Sequence, residues 1–332
     1  MIFGNLDIHG AAEANPSPDG GYTFLRYPAS ADCVFSDQGK RMNRSATGVE
    51  IRFAIGEGDA RLTLYNADGA EYSRAVLYYG DFAADWPETH KIIRNTPTEI
   101  VIKPPRNLPL LKKIAEEGHH RFAPTVVRLY PDSPVCILKA EGDISVPKPE
   151  QVPAKTYLAY GSSITHGSIA LTRPHAFANC IGEELGYDVL NMGMAGAACL
   201  EKETADYLAS VPFDIATVEM GINILGIPAD DFEARVRRFL SILAESHPAA
   251  KIFAIDVFYC HDDIVGGGKA AAFRKIVRRV TEELAYPNIV YVNGLDVLPD
   301  GTYLTDGLVH PAPRGVRLMA DNLVSVIRQN IG

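Results

Sequence analysis

A chain of 332 residues with 47% hydrophobic and 22% charged side chains has ordinary globular composition and is long enough for two domains. Its 32 basic and 41 acidic residues leave a formal charge of −9, which argues against nucleic acid and anionic membrane surfaces as partners. No apolar run approaches the ~20 residues of a membrane helix, the N-terminus lacks a secretory-signal pattern, and five scattered cysteines without a CxxC pair suggest neither a disulfide framework nor a zinc site, so a reducing cytoplasm is expected.

Residues 1–142 read as short strands and turns. Val49, Ile51, Phe53 and Ile55 alternate with Glu50, Arg52 and Ala54, the period of two of a half-buried strand. Further strands are expected at Ala60 to Tyr65, Arg74 to Tyr79, Glu99 to Lys103, Thr125 to Tyr130 and Val135 to Ala140. Gly56-Glu57-Gly58 and Ala67-Asp68-Gly69 read as turns between them, and Leu108 to Glu117 as a helix. This pattern predicts an antiparallel β-sandwich of jelly-roll type. Residues 143–154 hold Pro147, Pro149 and Pro153, which suit neither a helix interior nor a central strand, and read as an extended linker.

From 155 to 332 strand and helix alternate. Short apolar runs at Thr156–Tyr160, Asp188–Asn191, Ile215–Met220, Lys251–Phe258 and Ile289–Asn293 suit strands covered on both faces. Helical patterns cover about 174–185, 201–209, 230–245, 269–284 and 313–327. The expected architecture is α/β: a five-stranded parallel, flavodoxin-like sheet with helices on both faces, preceded by the sandwich. Function in such a sheet gathers at the carboxyl ends of the strands.

Four segments fall at or beyond those ends. The first strand runs into Gly161-Ser162-Ser163-Ile164-Thr165, which places a serine where a nucleophile can be exposed. The second is followed by Asn191-Met192-Gly193-Met194-Ala195-Gly196, and the third by Gly221-Ile222-Asn223. After the last strand comes Asp306-Gly307-Leu308-Val309-His310-Pro311, where a carboxylate precedes a histidine that it could orient. Taken singly, each is also what a turn or helix cap uses.

In this order and placement, the four segments resemble the blocks of the GDSL, or SGNH, serine hydrolases, over about residues 155 to 330. The β-rich front half resembles the non-catalytic sandwich that precedes some bacterial members. The resemblance implies Ser163 as nucleophile, His310 as its base and Asp306 as the acid that orients His310. It also implies an oxyanion hole built from the backbone N–H groups of Ser163 and Gly196 and the side-chain amide of Asn223. The sequence departs from the family pattern in three places. Ser162 stands where an Asp is usual, Ile224 follows Asn223 where an Asp is common, and Asp306 lies four residues before His310 rather than three, so a backbone carbonyl is a second candidate for holding the imidazole.

The remaining polar residues are read conservatively. His166 either lines the pocket or stabilises the turn, and His175 is structural. Glu219 on a buried strand needs a hydrogen-bond network. His261-Asp262-Asp263 matches a metal site in composition only, and Gly266-Gly267-Gly268-Lys269-Ala270 fails the phosphate-loop pattern. His119-His120 reads as an exposed turn.

The expected activity is hydrolysis of small, acetyl-like carboxylic esters, carbohydrate esters among them, through a Ser163 acyl-enzyme, with no cofactor and no metal. Transfer of the acyl group to an alcohol is the second reading. A non-catalytic binding module and a flavin protein are weaker ones. The partner is a small-molecule or carbohydrate ester, and a homo-oligomer is left open.

Overall fold

The computed structural model describes residues 1–86 and 88–331. The front half contains β1 (Ile2–Phe3), β2 (Leu6–His9), β3 (Glu13–Pro16), β4 (Tyr22–Leu25), β5 (Glu50–Asn66), β6 (Tyr72–Tyr79), β7 (Phe82–Ala83), β8 (His90–Arg94), β9 (Thr98–Ile102), β10 (Val126–Pro131) and β11 (Val135–Ser145). Their antiparallel ladder runs β3-β4-β11-β5-β10-β6-β7, with β2 and β9 also on β5 and β8 on β6. It wraps around an apolar core that includes Ile51, Phe53, Leu62, Leu64, Leu77, Ile100 and Leu129.

The long strand β5 organises this half. Its first residues pair with β2 and β10 and its last with β9 and β11, so one strand serves both parts of the sheet. The sequence suggested two strands broken at Gly56-Glu57-Gly58; the backbone stays in one extended strand, but its pairing with β11 is interrupted at those residues. Gly142 pairs with Ala60 and Ile144 with Ile55, so Gly56 to Asp59 form a bulge in β5 opposite Asp143, whose carboxylate accepts from the Glu57 N–H at 2.9 Å. The alternation along 49–55 is real, but its polar side is not solvated: Glu50 and Arg52 are buried as deeply as Ile51 and Phe53. The proline-rich connector is also docked rather than loose. Ala123 donates its N–H to the Gln151 carbonyl, and Gln151 Nε2 donates to Thr125 Oγ1.

The second half has five parallel strands, β12 (Thr156–Tyr160), β13 (Asp188–Asn191), β14 (Ile215–Glu219), β15 (Lys251–Ile255) and β16 (Ile289–Val292), in the order β13-β12-β14-β15-β16. Helices Phe177–Leu185 and Pro313–Ile331 cover one face, and Lys202–Ala209, Ala229–Ser246 and Lys269–Leu284 the other. Among the described residues no helix is long and apolar enough to cross a membrane.

Strand β13 is the edge of this sheet, and an open edge leaves backbone groups without partners. Here the front half covers it. Successive residues of a strand point their backbone groups to opposite sides. The Asp188 and Met192 N–H groups turn inward and bond to the Lys155 and Ala159 carbonyls. The carbonyls of Tyr187, Val189 and Asn191 turn outward, and each accepts from a front-half side chain: Arg121 Nη1 at 3.3 Å, His9 Nε2 at 2.7 Å and Arg26 Nη2 at 2.8 Å. Beyond the strand, Tyr27 Oη donates to the Met192 carbonyl at 2.7 Å and Gln38 Nε2 to the Ala195 carbonyl at 2.8 Å.

A buried charge cluster reinforces the same edge. Arg52 reaches across to both oxygens of Asp188 at 2.7 and 2.8 Å and also bonds Glu50, which in turn holds Arg128. Arg128 lies 3.8 Å over the ring of Phe122. Burial by itself would raise the Asp188 carboxyl, but Arg52 and His9 outweigh it and hold the group at about 2. Removing one member of such a pair strands the other without water. Asp188→Ala is therefore expected to cost about 3–5 kcal/mol, read as a lower urea midpoint. An unchanged midpoint would mean that Glu50 alone satisfies Arg52.

Candidate active site

Strand β12 ends at Tyr160, and Gly161 leads into a single helical turn, Ser163–His166. Ser162 caps that turn: its Oγ accepts from the Ile164 N–H at 3.1 Å. The same Oγ donates to Glu219 Oε1 at 2.5 Å, while the Ser162 N–H and Thr165 Oγ1 donate to Glu219 Oε2 at 2.9 and 2.7 Å. Glu219, the last residue of β14, is thus a buried carboxylate with three donors. Burial pushes its carboxyl up, and the donors oppose that shift. Gly161 is required by this arrangement, because a Cβ there would stand 2.4 Å from Glu219 Oε2 and 2.3 Å from Thr165 Oγ1. The departure at position 162 also has a physical reason. An Asp would set a second carboxylate against Glu219, whereas the hydroxyl of Ser162 donates to it and still caps the turn.

This turn leaves Ser163 half-buried, and its Oγ lies 2.8 Å from His310 Nε2. Burial lowers the His310 imidazole below its ordinary value. Its Nδ1 has no hydrogen-bond partner among the described residues. Asp306 does not supply one: its side chain is exposed at the tip of a tight turn. That turn closes through backbone bonds, from the Thr305 N–H to the His310 carbonyl and from the Leu308 N–H to the Thr305 carbonyl, with Leu308 forced to φ +56°. The extra residue between acid and base is taken up in this turn, which leaves the Asp306 carboxyl outside. The expected Ser163–His310–Asp306 array is therefore present as Ser163–His310 alone.

The loop after β13 brings Gly196 to the surface at φ +68°. The third block reaches back to this loop: Asn223 Oδ1 accepts from the Ala198 N–H at 3.1 Å, which leaves Asn223 Nδ2 without a partner among the described residues. Beside Ser163 and His310 lies a narrow, open cleft whose wall includes Ile164, Ile169, Ala170, Phe177 and Val316.

His166 is not part of that wall. It is buried, with Nδ1 3.1 Å from the Gly193 carbonyl and Nε2 2.8 Å from Thr47 Oγ1. Nδ1 faces a carbonyl and so carries the hydrogen of the neutral ring, which leaves Nε2 to accept from the Thr47 hydroxyl, whose oxygen accepts from Arg173 Nη1. Burial and the nearby Arg26 hold its pKa down at about 3. The histidine joins the nucleophile turn to the front half. His175 bonds Thr172, Asp263 forms an ion pair with Arg274, and His120 stacks on Phe82. Sequence reasoning missed the front-half residues at the site, Arg26, Tyr27, Gln38 and Thr47, because no local period marks a residue that acts across domains.

Comparison with known proteins agrees with this picture. The model of the GDSL-like lipase/acylhydrolase family matches residues 154–328. No curated protein matches the chain by sequence. Among solved structures, a salicylyl-acyltransferase from a tetracycline biosynthetic pathway superposes with a TM-score of 0.76 at 16% identity, covering 99% of this chain and 96% of the other. A family two carbohydrate esterase from Cellvibrio japonicus gives 0.60 at 14% identity, covering 98% and 95%. An acetyl xylan esterase from the rumen bacterium Butyrivibrio proteoclasticus gives 0.59 at 12% identity, covering 100% and 97%. These likenesses span both halves, so the sandwich and the parallel sheet recur together. The chain belongs to the GDSL-like lipase/acylhydrolase family and is an enzyme of the carboxylic ester hydrolase kind.

Proposed function

We propose that this chain is a serine hydrolase of small carboxylic esters that works through a Ser163 acyl-enzyme. The observation that carries the reading is the 2.8 Å contact between Ser163 Oγ and His310 Nε2 on the wall of an apolar cleft. A serine hydroxyl is a weak nucleophile until a base takes its proton. His310 Nε2 accepts that proton as Ser163 Oγ bonds to the carbonyl carbon, then returns it to the departing alkoxide as the acyl-enzyme forms. Water repeats the sequence and releases the acid. The oxyanion takes hydrogen bonds from the Ser163 and Gly196 N–H groups and from Asn223 Nδ2, each such donor being worth ~2.7–4 kcal/mol in the transition state. Glu219 does not touch the reacting atoms; it holds the nucleophile turn through Ser162 and Thr165.

The acyl group rests against Ile164, Ile169, Ala170, Phe177 and Val316, which suits a short apolar acyl chain. A carbohydrate as the alcohol part is supported by the likeness to carbohydrate and acetyl xylan esterases. Transfer to an acceptor alcohol in place of water is the second reading. It is supported by the likeness to a salicylyl-acyltransferase over nearly the full length of both chains.

Ser163→Ala is expected to abolish both hydrolysis of p-nitrophenyl acetate and labelling by a fluorophosphonate. Labelling that survives the substitution would remove Ser163 from the mechanism. Asp306→Asn is expected to keep near-wild-type kcat, since nothing couples its carboxyl to His310; a large loss would reinstate it as the acid. The kcat/KM profile should rise with pH as His310 loses its proton. With burial as the only cause of its shift, the midpoint should fall below the ordinary ~6.5. A midpoint above that value would reveal a carboxylate stabilising the imidazolium.

A further inference from the structure

We infer that Gln38, a front-half residue remote from the nucleophile in sequence, is a positioning residue that sets the direction of the Gly196 N–H. The inference rests on the reading that this N–H is an oxyanion donor.

Residues Met194 to Ala197 form a turn closed by the Ala197 N–H on the Met194 carbonyl at 2.9 Å. Gly196 occupies the third position with φ +68°, the sign that type II turns require there. A type I turn would have φ near −90° at the same place, and the two types differ mainly by a rotation of roughly half a turn of the central peptide. That peptide is Ala195–Gly196. Glycine adopts either sign of φ, so the residue that permits the type II turn also permits the flip.

The direction matters because a peptide unit is planar and trans, with its C=O and N–H pointing opposite ways. Whatever fixes the Ala195 carbonyl fixes the Gly196 N–H. Gln38 Nε2 donates to that carbonyl at 2.8 Å, and the side chain packs so near that a Cβ on Gly196 would lie 3.4 Å from Gln38 Cγ. The amide is itself held. Arg41 Nε and Nη2 both donate to Gln38 Oε1, at 3.1 and 2.5 Å, which a reversed amide would not accept. Gln38 sits in the first turn of helix Asp37–Asn43, whose N-cap Ser36 accepts from the Gly39 N–H at 3.1 Å. In the flipped turn the Ala195 carbonyl would point where the Gly196 N–H now points, and would set an acceptor against a developing negative charge. Gln38 and Arg41 thus form a latch on the donor-out form.

The test compares p-nitrophenyl acetate with its thiono analogue, in which sulfur replaces the carbonyl oxygen and accepts hydrogen bonds poorly. Gln38→Met keeps length and removes the donor. For the oxygen ester it should lower kcat by about tenfold or more, short of the ~10²–10³ for outright loss of a donor, with KM and melting temperature close to wild type. For the thiono ester the loss should shrink to a small fraction of that. Arg41→Met, at an exposed position where folding is not at stake, should give the same pattern with smaller amplitude. Equal losses on both esters, or none on either, would overturn the proposal. Ser163→Ala run in parallel separates the two levels. If it is inactive while Gln38→Met is unimpaired, only the Gln38 inference falls; if it is active, the acyl-enzyme reading falls as well.

Discussion

The parallel sheet of this protein has an edge that cannot be left open. Strand β13 leads into the Gly196 loop directly beyond its end, and the outward carbonyls of Val189 and Asn191, with that of Tyr187 just before the strand, would face solvent without the front half. The front half donates to all three, and then to the Met192 and Ala195 carbonyls where the strand has become loop. One row of side-chain donors therefore does two things. It completes the hydrogen bonding of an edge strand, and it extends that order into a glycine-containing turn that would otherwise be free to choose its conformation. The Arg52–Asp188 pair anchors the start of this row, where charges excluded from water must stay matched.

A second constraint acts beneath the nucleophile. Glu219 is a carboxylate at the end of a central strand, which is costly unless donors surround it. Ser162 and Thr165 provide them from the turn that presents Ser163. The buried acid thereby ties that turn down at three points: rotating any of the donors away would leave it short of a hydrogen bond in a dry interior. His166 adds a third tie. By bridging the Gly193 carbonyl and Thr47, it joins the nucleophile turn, the second segment and the front half in one neutral network.

The parallel half was nearly transparent to sequence reasoning, because strands buried on both faces show as short apolar runs. The predicted Thr156–Tyr160 and Asp188–Asn191 match the observed strands residue for residue. The site blocks were legible because they stand at strand ends, where chemistry-bearing residues break the apolar pattern. Three things were not. Glu50 and Arg52 alternate as a solvated face would, but they face another domain rather than water. Asp306 has the right chemistry and lies near His310 in sequence, yet the route of a six-residue turn decides where its carboxyl points. Gln38, Arg26 and Tyr27 act on backbone carbonyls, and a carbonyl has no side-chain identity that sequence could register.

These features together bear on where catalytic power resides. A histidine held by a buried carboxylate is a stronger base, and its imidazolium is stabilised. Among the described residues His310 has no such partner, and burial lowers its affinity for a proton. More of it is neutral at pH 7, but in the proposed mechanism a proton taken from Ser163 would be bound less tightly, so the tetrahedral intermediate would gain less from the base. In the proposed mechanism the balance is made up on the oxyanion side, where donors already aimed at the developing charge lose nothing to reorientation. Such donors are useful only while their direction is fixed, and one of the three is the N–H of a surface glycine. A site that depends on this N–H needs rigid support behind it, and here that support comes from the front half. On that proposal the sandwich would be a working part of the active site, acting through the backbone it holds.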